Sequence, residues 1–159
     1  MQFRPLTEGD YDWLHAWGLS EYRVGRRHGL SLSHSQFVAW TIQHVRSHWI
    51  IEIDGAIGGQ ALMYNMHLEL GVAQIAVDLL PDFASAGHAK EALLRVRSQT
   101  FERFPLRKLY VHRLLVAAYD PLRSPWLQAP FLLEGVLPRH EIVSGRFCDL
   151  AIWGTFARD

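Results

Sequence analysis

The residues best suited to chemistry in this 159-residue chain form a run of small side chains between a predicted strand and a predicted helix. The strand-like run covers residues 72–80 and the helix-like run residues 87–104; the small residues are Ala84, Ser85, Ala86, Gly87 and Ala89. Backbone N–H groups in the first turn of a helix lack partners within the helix, and the helix dipole favours an anion there. Small side chains let a phosphate approach the backbone closely. The run predicts a site for a pyrophosphate-bearing cofactor, with a plain strand-to-helix connection as the alternative.

A second candidate site is a basic cluster near the N-terminus. Arg23, Arg26, Arg27 and His28 lie close together in a segment that separates two predicted helices. Guanidinium groups pair well with planar anions, so the cluster is suited to a carboxylate or phosphate on a substrate. A solvated loop is the alternative interpretation.

Composition limits the class of protein. The chain is 49% hydrophobic and carries 16 basic and 16 acidic residues, which predicts one packed domain over residues 1–159 that attracts neither nucleic acid nor an acidic membrane. Cys148 is the only cysteine and the nine histidines show no zinc-ligand spacing, so we expect no metal and no internal disulfide. The first residues do not resemble a signal peptide, and we expect a cytoplasmic protein.

The elements that must position these residues follow a mixed α/β order. A short strand at 3–6 precedes a helix that Thr7 or Asp10 caps and a second helix that residues 31–35 cap. Strands at 49–53 and 56–64 flank the Asp-Gly turn at 54–55, and a largely apolar strand follows at 68–80. The helix at 87–104 then leads to a buried strand at 109–118 and a final hairpin, 131–143 with 146–156.

Four motifs occur in register with these elements over nearly the whole chain. They are residues 3–7 (FRPLT) with Asp10, 49–59 (WIIEIDGAIGG), 87–93 (GHAKEAL), and 133–137 (LEGVL) followed by 145–147 (GRF), Asp149 and Gly154. In this combination they resemble the GNAT superfamily of acyl-CoA-dependent N-acyltransferases, specifically the branch that acetylates the N-termini of ribosomal proteins.

This resemblance implies the fold and the donor. It implies a central mixed, mostly antiparallel sheet of about six to seven strands, splayed at its centre and flanked by about four helices, with acetyl-CoA or another acyl-CoA in the gap. Pyrophosphate would lie on the amides of residues 85–89, and pantetheine along the edge of the strand that ends at Leu79. The implied donor-binding residues are Leu79, Ala84, Ser85, Ala86, Gly87, His88, Ala89 and Lys90.

The chain departs from the family pattern at two places. The family loop usually begins with Arg or Gln and has a further Gly, where this chain has Ala84 and Ser85; main-chain donors survive both changes. The family's following helix carries Asn, Ser and a Tyr that can protonate the departing thiolate, where this chain has Tyr119, Leu122 and Trp126. Three prolines between 121 and 130 also interrupt that segment. An indole cannot serve as a general acid, so the usual thiolate partner is absent.

The transfer reaction requires an amine to be oriented, deprotonated and directed at a polarised thioester carbonyl. A backbone amide near Leu79 is suited to polarising the thioester carbonyl. Some N-acyltransferases use a Glu of the central strand as base, but the corresponding position here is Gln74. We therefore rank Asp78, at the end of an apolar strand, as the first candidate base, followed by Glu69 and His67. The alternative for Asp78 is a carboxylate bound by loop amides. The alternative for His67 and Glu69 is an exposed strand face.

Two functions follow from the resemblance. One is an active enzyme that moves an acyl group from CoA to the primary amine of a small metabolite or a peptide terminus, with Arg23, Arg26, Arg27 and Trp126 binding the acceptor. The other is a degenerate or repurposed protein of the same fold that binds acyl-CoA or a partner without transfer. In both cases the terminal hairpin suggests, by analogy alone, a homodimer.

Overall fold

Seven strands form one mixed sheet in the order β1-β2-β3-β4-β5-β7-β6. A computed structural model describes residues 1–20, 32–115, 130–143 and 145–157. The strands are β1 (Gln2–Pro5), β2 (Val45–Ile53), β3 (Ala56–His67), β4 (Val72–Leu79), β5 (Lys108–Leu115), β6 (Leu132–Val143) and β7 (Arg146–Phe156). The helices of this part of the chain are α1 (Tyr11–Ser20), α2 (His34–His44) and α3 (Ala86–Arg103). None of these helices is long and apolar enough to cross a membrane.

The first four strands form an antiparallel meander that confirms the predicted hairpin at residues 54–55. Asp54 and Gly55 both have positive φ, 52° and 82°, as a two-residue turn between right-twisted strands requires. The meander brings β3 and β4 very close at Gly59, where an added Cβ would lie 2.9 Å from the Cα of Leu79. Glycine at this position therefore permits the contact that holds the end of β4 in place.

Alternation along the strands divides apolar residues between the two faces of the sheet. Trp49 and Ile51 of β2 belong to the main core with Ala92, Leu93 and Val96 of α3, and all of these side chains are buried. The alternate residues of β2 point to the opposite face, where Ile50 is buried. The central strands thus have one face covered by α3 and a second face that points away from it.

The sheet opens between β4 and β5. Val72, Ala73 and Gln74 pair in parallel with Lys108, Leu109 and Tyr110, and no pair follows them. Beyond this point β4 remains paired with β3 as far as Leu79, while β5 remains paired with β7 as far as Leu115. The two central strands therefore diverge, which confirms the predicted splay, and the gap lies between residues 75–79 and 111–115.

An ion-pair cluster anchors the start of α1. The guanidinium of Arg4 in β1 lies 2.7 Å from Oδ1 of Asp10 and 2.7 Å from Oε1 of Glu52 in β2. Thr7 also donates its backbone N–H to Asp10, at 2.8 Å. The hydrogen bond from Arg4 is the largest influence on Asp10 and holds the pKa of that buried carboxyl well below its usual range. The cluster joins β1, β2 and the turn before α1.

Several predicted boundaries move by a few residues. β4 begins at Val72 rather than at 68, because residues 68–71 form a turn in which Gly71 has φ +62° and donates its N–H to Leu68 O at 3.0 Å. β2 begins at Val45, directly after the end of α2. The segment predicted to replace the family's fourth helix, around Trp126, lies outside the described residues.

Candidate active site

The N-terminus of α3 lies directly after the end of β4. A short 3-10 turn, Pro81–Phe83, follows β4, and Ser85 then caps α3 by accepting the N–H of His88 at 3.1 Å. Ser85 donates its own N–H to Phe83 O, and Ala89 donates to Ser85 O. Within the described residues, the N–H groups of Ala86 and Gly87 have no partner. Two first-turn donors thus remain for an anion.

The surface around these two donors is open. Ala84, Ser85, Ala86, Gly87 and Lys90 are exposed. An added Cβ at Gly87 would have only the Ser85 Oγ within contact range, at 3.9 Å. Packing among the described residues therefore gives no reason for glycine at position 87, whereas close approach of a ligand would.

The edge of β4 that faces the gap carries backbone donors as well. Leu80 donates its N–H to Gly58 O in β3 at 2.8 Å, and the register pairs Leu79 with Gly59. Because alternate residues of an antiparallel strand bond to the same neighbour, the N–H groups of Val77 and Leu79 point away from β3, toward the gap. An extended ligand in the gap could use both donors.

A polar chain crosses three strands on the face that points away from α3. Nε2 of His48 in β2 lies 2.9 Å from Oε1 of Gln60 in β3, and Nε2 of Gln60 donates to Oδ2 of Asp78 in β4 at 3.1 Å. Burial lowers the pKa of His48 to about 4, so its ring is neutral at pH 7. A neutral ring that donates from Nε2 directs the amide N–H of Gln60 at Asp78 and so orients the carboxylate.

A second polar contact lies where the gap begins. Gln74 is the last residue of β4 that pairs with β5, and its Nε2 lies 3.0 Å from Nε2 and 3.1 Å from Nδ1 of His112 in β5. Oε1 of Gln74 accepts from Nδ2 of Asn65 at 2.7 Å, which orients the amide. A cavity of about 500 Å³ adjoins this contact. It is lined by Gln74, Tyr110, His112, Glu134, Gly135, Leu137 and Ile152.

Comparison with solved structures decides the fold. The chain is similar to the spermidine N-acetyltransferase SpeG of Vibrio cholerae, solved with CoA and spermine, with a TM-score of 0.78 and 17% identity over 98% of this chain and 94% of that chain. It is also similar to a ribosomal-protein-alanine N-acetyltransferase of Brucella melitensis, with a TM-score of 0.76 and 15% identity over 99% of this chain and 100% of that chain. No protein-family model and no curated protein matches the chain. This protein has the GNAT fold.

Within this GNAT fold, the predicted catalytic residues do not come together. Asp78 lies at the end of β4 beside the gap, on the face away from α3. His67, the last residue of β3, and Glu69, in the turn between β3 and β4, are exposed at the opposite end of the β3–β4 pair. His67 is opposite Val72 in the register, and Val72 lies six residues from Asp78 along β4, a distance of about 20 Å. Only Asp78 of the three is near the α3 N-terminus.

Other predicted residues fall outside the described part of this GNAT fold. Arg23, Arg26, Arg27 and Trp126, assigned to the acceptor, are among them. Within the described ranges, no group of three or more His, Cys, Asp or Glu side chains is placed to hold a metal ion.

Sequence reasoning did not predict the contact between His112 and Gln74. It considered His112 only as a zinc ligand and found no ligand spacing. A usable signal was present, because His112 is a polar residue in a largely apolar strand and lies on the face of that strand that points away from α3. Its contact with Gln74 depends on the register of two strands distant in sequence, which spacing alone does not specify.

Proposed function

We propose that this protein is an N-acyltransferase that moves an acetyl or other acyl group from CoA to a primary amine by direct transfer. The observation that carries the proposal is the divergence of β4 from β5 after three paired residues, beside an α3 N-terminus that has two unpartnered amides. The gap offers backbone donors along one strand, and the helix terminus offers donors and a favourable dipole for a diphosphate.

The proposed position of CoA follows from the order of these backbone N–H groups along the chain. The pyrophosphate of CoA would accept from Ala86 and Gly87, and the amide-rich pantetheine arm would lie along β4 and accept from Leu79 and Val77. A backbone N–H in the gap would also polarise the thioester carbonyl, since it is fixed in place before the reaction begins. The GNAT-fold neighbour solved with CoA supports this choice of donor.

The acceptor would approach from the face away from α3. Asp78 lies on that face beside the gap, and its carboxylate, held by Gln60, would bind the ammonium group of the acceptor and take its first proton. The named activities of the neighbours, on spermidine and on an alanine of a ribosomal protein, support a primary amine as the acceptor class. A small metabolite and a peptide terminus both meet that description.

Thermal unfolding with CoA and acetyl-CoA tests the donor, and thiol release with a panel of amines tests the reaction. A ligand at 100 times its Kd stabilises the folded state by about 2.7 kcal/mol, which is easily measured as a rise in Tm. We expect stabilisation by both compounds and thiol release with at least one of spermidine, alanine-terminated peptides or acidic amines. If neither compound raises the Tm, donor binding fails and the proposal with it.

A pair of glycine variants makes the binding test specific. Gly87→Glu places a carboxylate at the proposed pyrophosphate position and should abolish the Tm rise. Gly9→Glu is the matched control, because Gly9 is exposed and has nothing within 4 Å of an added Cβ. Equal stabilisation of both variants would contradict the placement of the pyrophosphate.

The second candidate is a protein of this fold that binds acyl-CoA without transfer. The residue types at Ala84, Tyr119, Leu122 and Trp126 favour it, since these positions lack the family's usual donors and acid. Stabilisation by acetyl-CoA without thiol release across the amine panel is the outcome that selects it.

A further inference from the structure

We propose that the cavity of about 500 Å³ binds the body of the acceptor and selects a monoamine, whose part beyond the reacting amine is uncharged and partly apolar. This inference rests on the proposed function and names the acceptor class for it. It is carried by the ion pair between Lys108 and Glu134. That pair supplies from within the chain the cation that the carboxylate of the cavity would otherwise take from a second amine of the substrate.

The cavity lies on the face of the sheet that also carries Asp78. Alternate residues of β5, such as Leu109, are buried in the core with α3, so Tyr110 and His112 point to the opposite face. Both line the cavity, as does Gln74, where β4 separates from β5. The cavity thus adjoins the start of the gap, on the side from which the acceptor would approach.

From the gap the cavity extends over β7 to β6. Ile152 of β7 pairs with Gly135 of β6, and both line the cavity together with Leu137. Neighbouring strands lie about 4.8 Å apart, so the distance from β4 across β5 and β7 to β6 is about 14 Å. This length accommodates a reacting amine at the gap and a chain of several carbon atoms beyond it.

On the β6 side of the cavity, a carboxylate already has a cation. Nζ of Lys108 lies 2.6 Å from Oε1 and 2.7 Å from Oε2 of Glu134. The same ammonium lies 4.6 Å from the ring centre of Tyr110 and 4.9 Å from that of Phe156. Burial lowers the pKa of Lys108, but its hydrogen bonds to Glu134 and Tyr110 together raise it above its usual value. The pair is therefore ionised, and neutral overall, at pH 7.

Gly154 of β7 leaves the space that this ion pair occupies. A Cβ added at position 154 would lie 2.6 Å from Cδ of Glu134 and 3.0 Å from Cε of Lys108, both closer than ordinary van der Waals contact. The two side chains thus lie against the backbone of β7, and the Lys108 side chain is only 13% exposed. The internal cation is packed in place.

A second ammonium group on the acceptor has no partner in this arrangement. Among the described residues that line the cavity, Glu134 is the one carboxylate, and Lys108 binds both of its oxygens. A diamine would place its far ammonium near Lys108, where it loses water and gains no anion. An alkyl chain or a neutral amide would instead lie against Leu137 and Ile152. The cavity therefore favours monoamines over polyamines such as spermidine.

Amines of equal length with one or two charges test this selection. Hexylamine and 1,6-diaminohexane differ only in the far ammonium, and the butyl and octyl pairs vary the reach. The methyl signal of Ile152, assigned by its loss in Ile152→Val, reports binding in the cavity, and exposed Ile42 on α2 is the control. We expect hexylamine to move the Ile152 signal at concentrations about tenfold lower than 1,6-diaminohexane, with no shift at Ile42.

Substitution of Lys108 should reverse the preference. Lys108→Met keeps an unbranched side chain and frees Glu134, so 1,6-diaminohexane should bind about tenfold more tightly than to the unsubstituted protein. The double variant Lys108→Met with Glu134→Gln has no charge there and should again favour hexylamine, which separates the effect of charge from that of packing. Gly135→Leu adds a side chain beside Ile152, where an added Cβ meets nothing within 4 Å, and should weaken both amines.

The outcomes separate this inference from the proposed function. If acetyl-CoA raises the Tm and the two hexyl amines bind the unsubstituted protein equally, or Lys108→Met leaves their order unchanged, selection by charge is overturned. If the Ile152 signal moves with neither amine, the cavity does not bind the acceptor. If acetyl-CoA does not bind at all, the proposed function fails first and the inference with it. In an active enzyme, kcat/KM for the same amine pairs should follow the order of binding.

Discussion

At the scale of single residues, the candidate base is defined by its hydrogen-bonded neighbours rather than by its sequence context. Asp78 is opposite Gln60 in the β3–β4 register, and Gln60 is in turn held by His48 of β2. Each strand contributes one polar side chain on the same face, because residues two apart in a strand share a face and cross-strand neighbours lie about 5 Å apart. The carboxylate is thereby oriented beside the gap.

Replacement of Asp78 by Asn should lower turnover by about 10- to 1000-fold with little loss of stability. The amide keeps the size of the side chain and can still pair with Gln60, but it cannot accept a proton. Steady-state thiol release at saturating acetyl-CoA measures the effect. Asp54→Asn is the matched control, since Asn-Gly forms the same two-residue turn. Equal rates in the two variants would remove Asp78 from the role of base.

Acid should destabilise the protein through His48. Its folded pKa of about 4 lies below the usual value of 6.5, so the unfolded chain binds more protons between these two values and stability falls as the pH drops through that window. The loss from this group between pH 7.5 and pH 5 is about 2 kcal/mol. Asp10 does not contribute there, because Arg4 keeps the pKa of its carboxyl far below pH 5.

Urea unfolding at the two pH values checks this contribution. His48→Gln should show a smaller loss of unfolding free energy between pH 7.5 and pH 5 than the unsubstituted protein, whereas His67→Gln, at an exposed position, should show the same loss. An identical pH dependence in His48→Gln would mean that His48 titrates normally in the folded state.

At the scale of elements, α3 has a packed face and an open first turn. Its apolar stripe, which includes Ala92, Leu93 and Val96, fixes the helix against the core, and its first turn presents the amides of Ala86 and Gly87 beside the end of β4. Because the stripe begins after the first turn, residues at the N-terminus can vary without disturbing the packing. Substitutions at the first turn therefore separate the proposed donor binding from stability.

Gly87→Ala should weaken acetyl-CoA binding by about tenfold and leave stability unchanged or slightly raised. Position 87 has space for a Cβ in the free chain, and alanine is the better helix former. A methyl group would intrude where a phosphate must contact the backbone, at a cost of about 1–3 kcal/mol for such overpacking. Calorimetric titration with acetyl-CoA and thermal unfolding measure the two effects. Unchanged affinity would show that no ligand approaches Gly87 closely.

At the scale of the whole molecule, the sheet consists of two sets of hydrogen-bonded strands that are joined by only three residue pairs. β4 ends the meander and β5 begins the C-terminal unit with β7 and β6, and only Val72–Gln74 and Lys108–Tyr110 join them. This short junction leaves backbone groups of both strands without sheet partners. A ligand that fills the gap would satisfy them and connect the two units.

Hydrogen exchange should show an alternating pattern along β4. The amides of Ala76 and Asp78 face β3 and should exchange slowly in the free protein, whereas those of Val77 and Leu79 face the gap and should exchange faster. Acetyl-CoA should slow Val77 and Leu79 with little change at Ala76. Residue-resolved exchange by NMR gives the readout, and uniform protection without ligand would contradict an open gap.

The sequence predicted turns and helix caps well, because these depend on a few residues that are adjacent in the chain. The positive φ of Asp54 and Gly55 follows from an Asp-Gly turn, and the cap of α2 at Ser33 lies within the run 31–35 that was predicted to cap this helix. Boundaries were wrong where a turn competes with a strand-like pattern, as at residues 68–71, where a glycine turn ends the apolar run. The donor loop stays a prediction, because no ligand contact tests it.

The sequence by itself determined the order of elements, the apolar faces and the small residues at the N-terminus of α3, because these depend on residues adjacent in the chain. Only the tertiary structure decided where the sheet opens, which of Asp78, Glu69 and His67 lies beside that opening, and that Gln74 meets His112. These features depend on the register between strands up to 38 residues apart. Register is set by the packing of whole strands against the core, so spacing along the chain does not contain it.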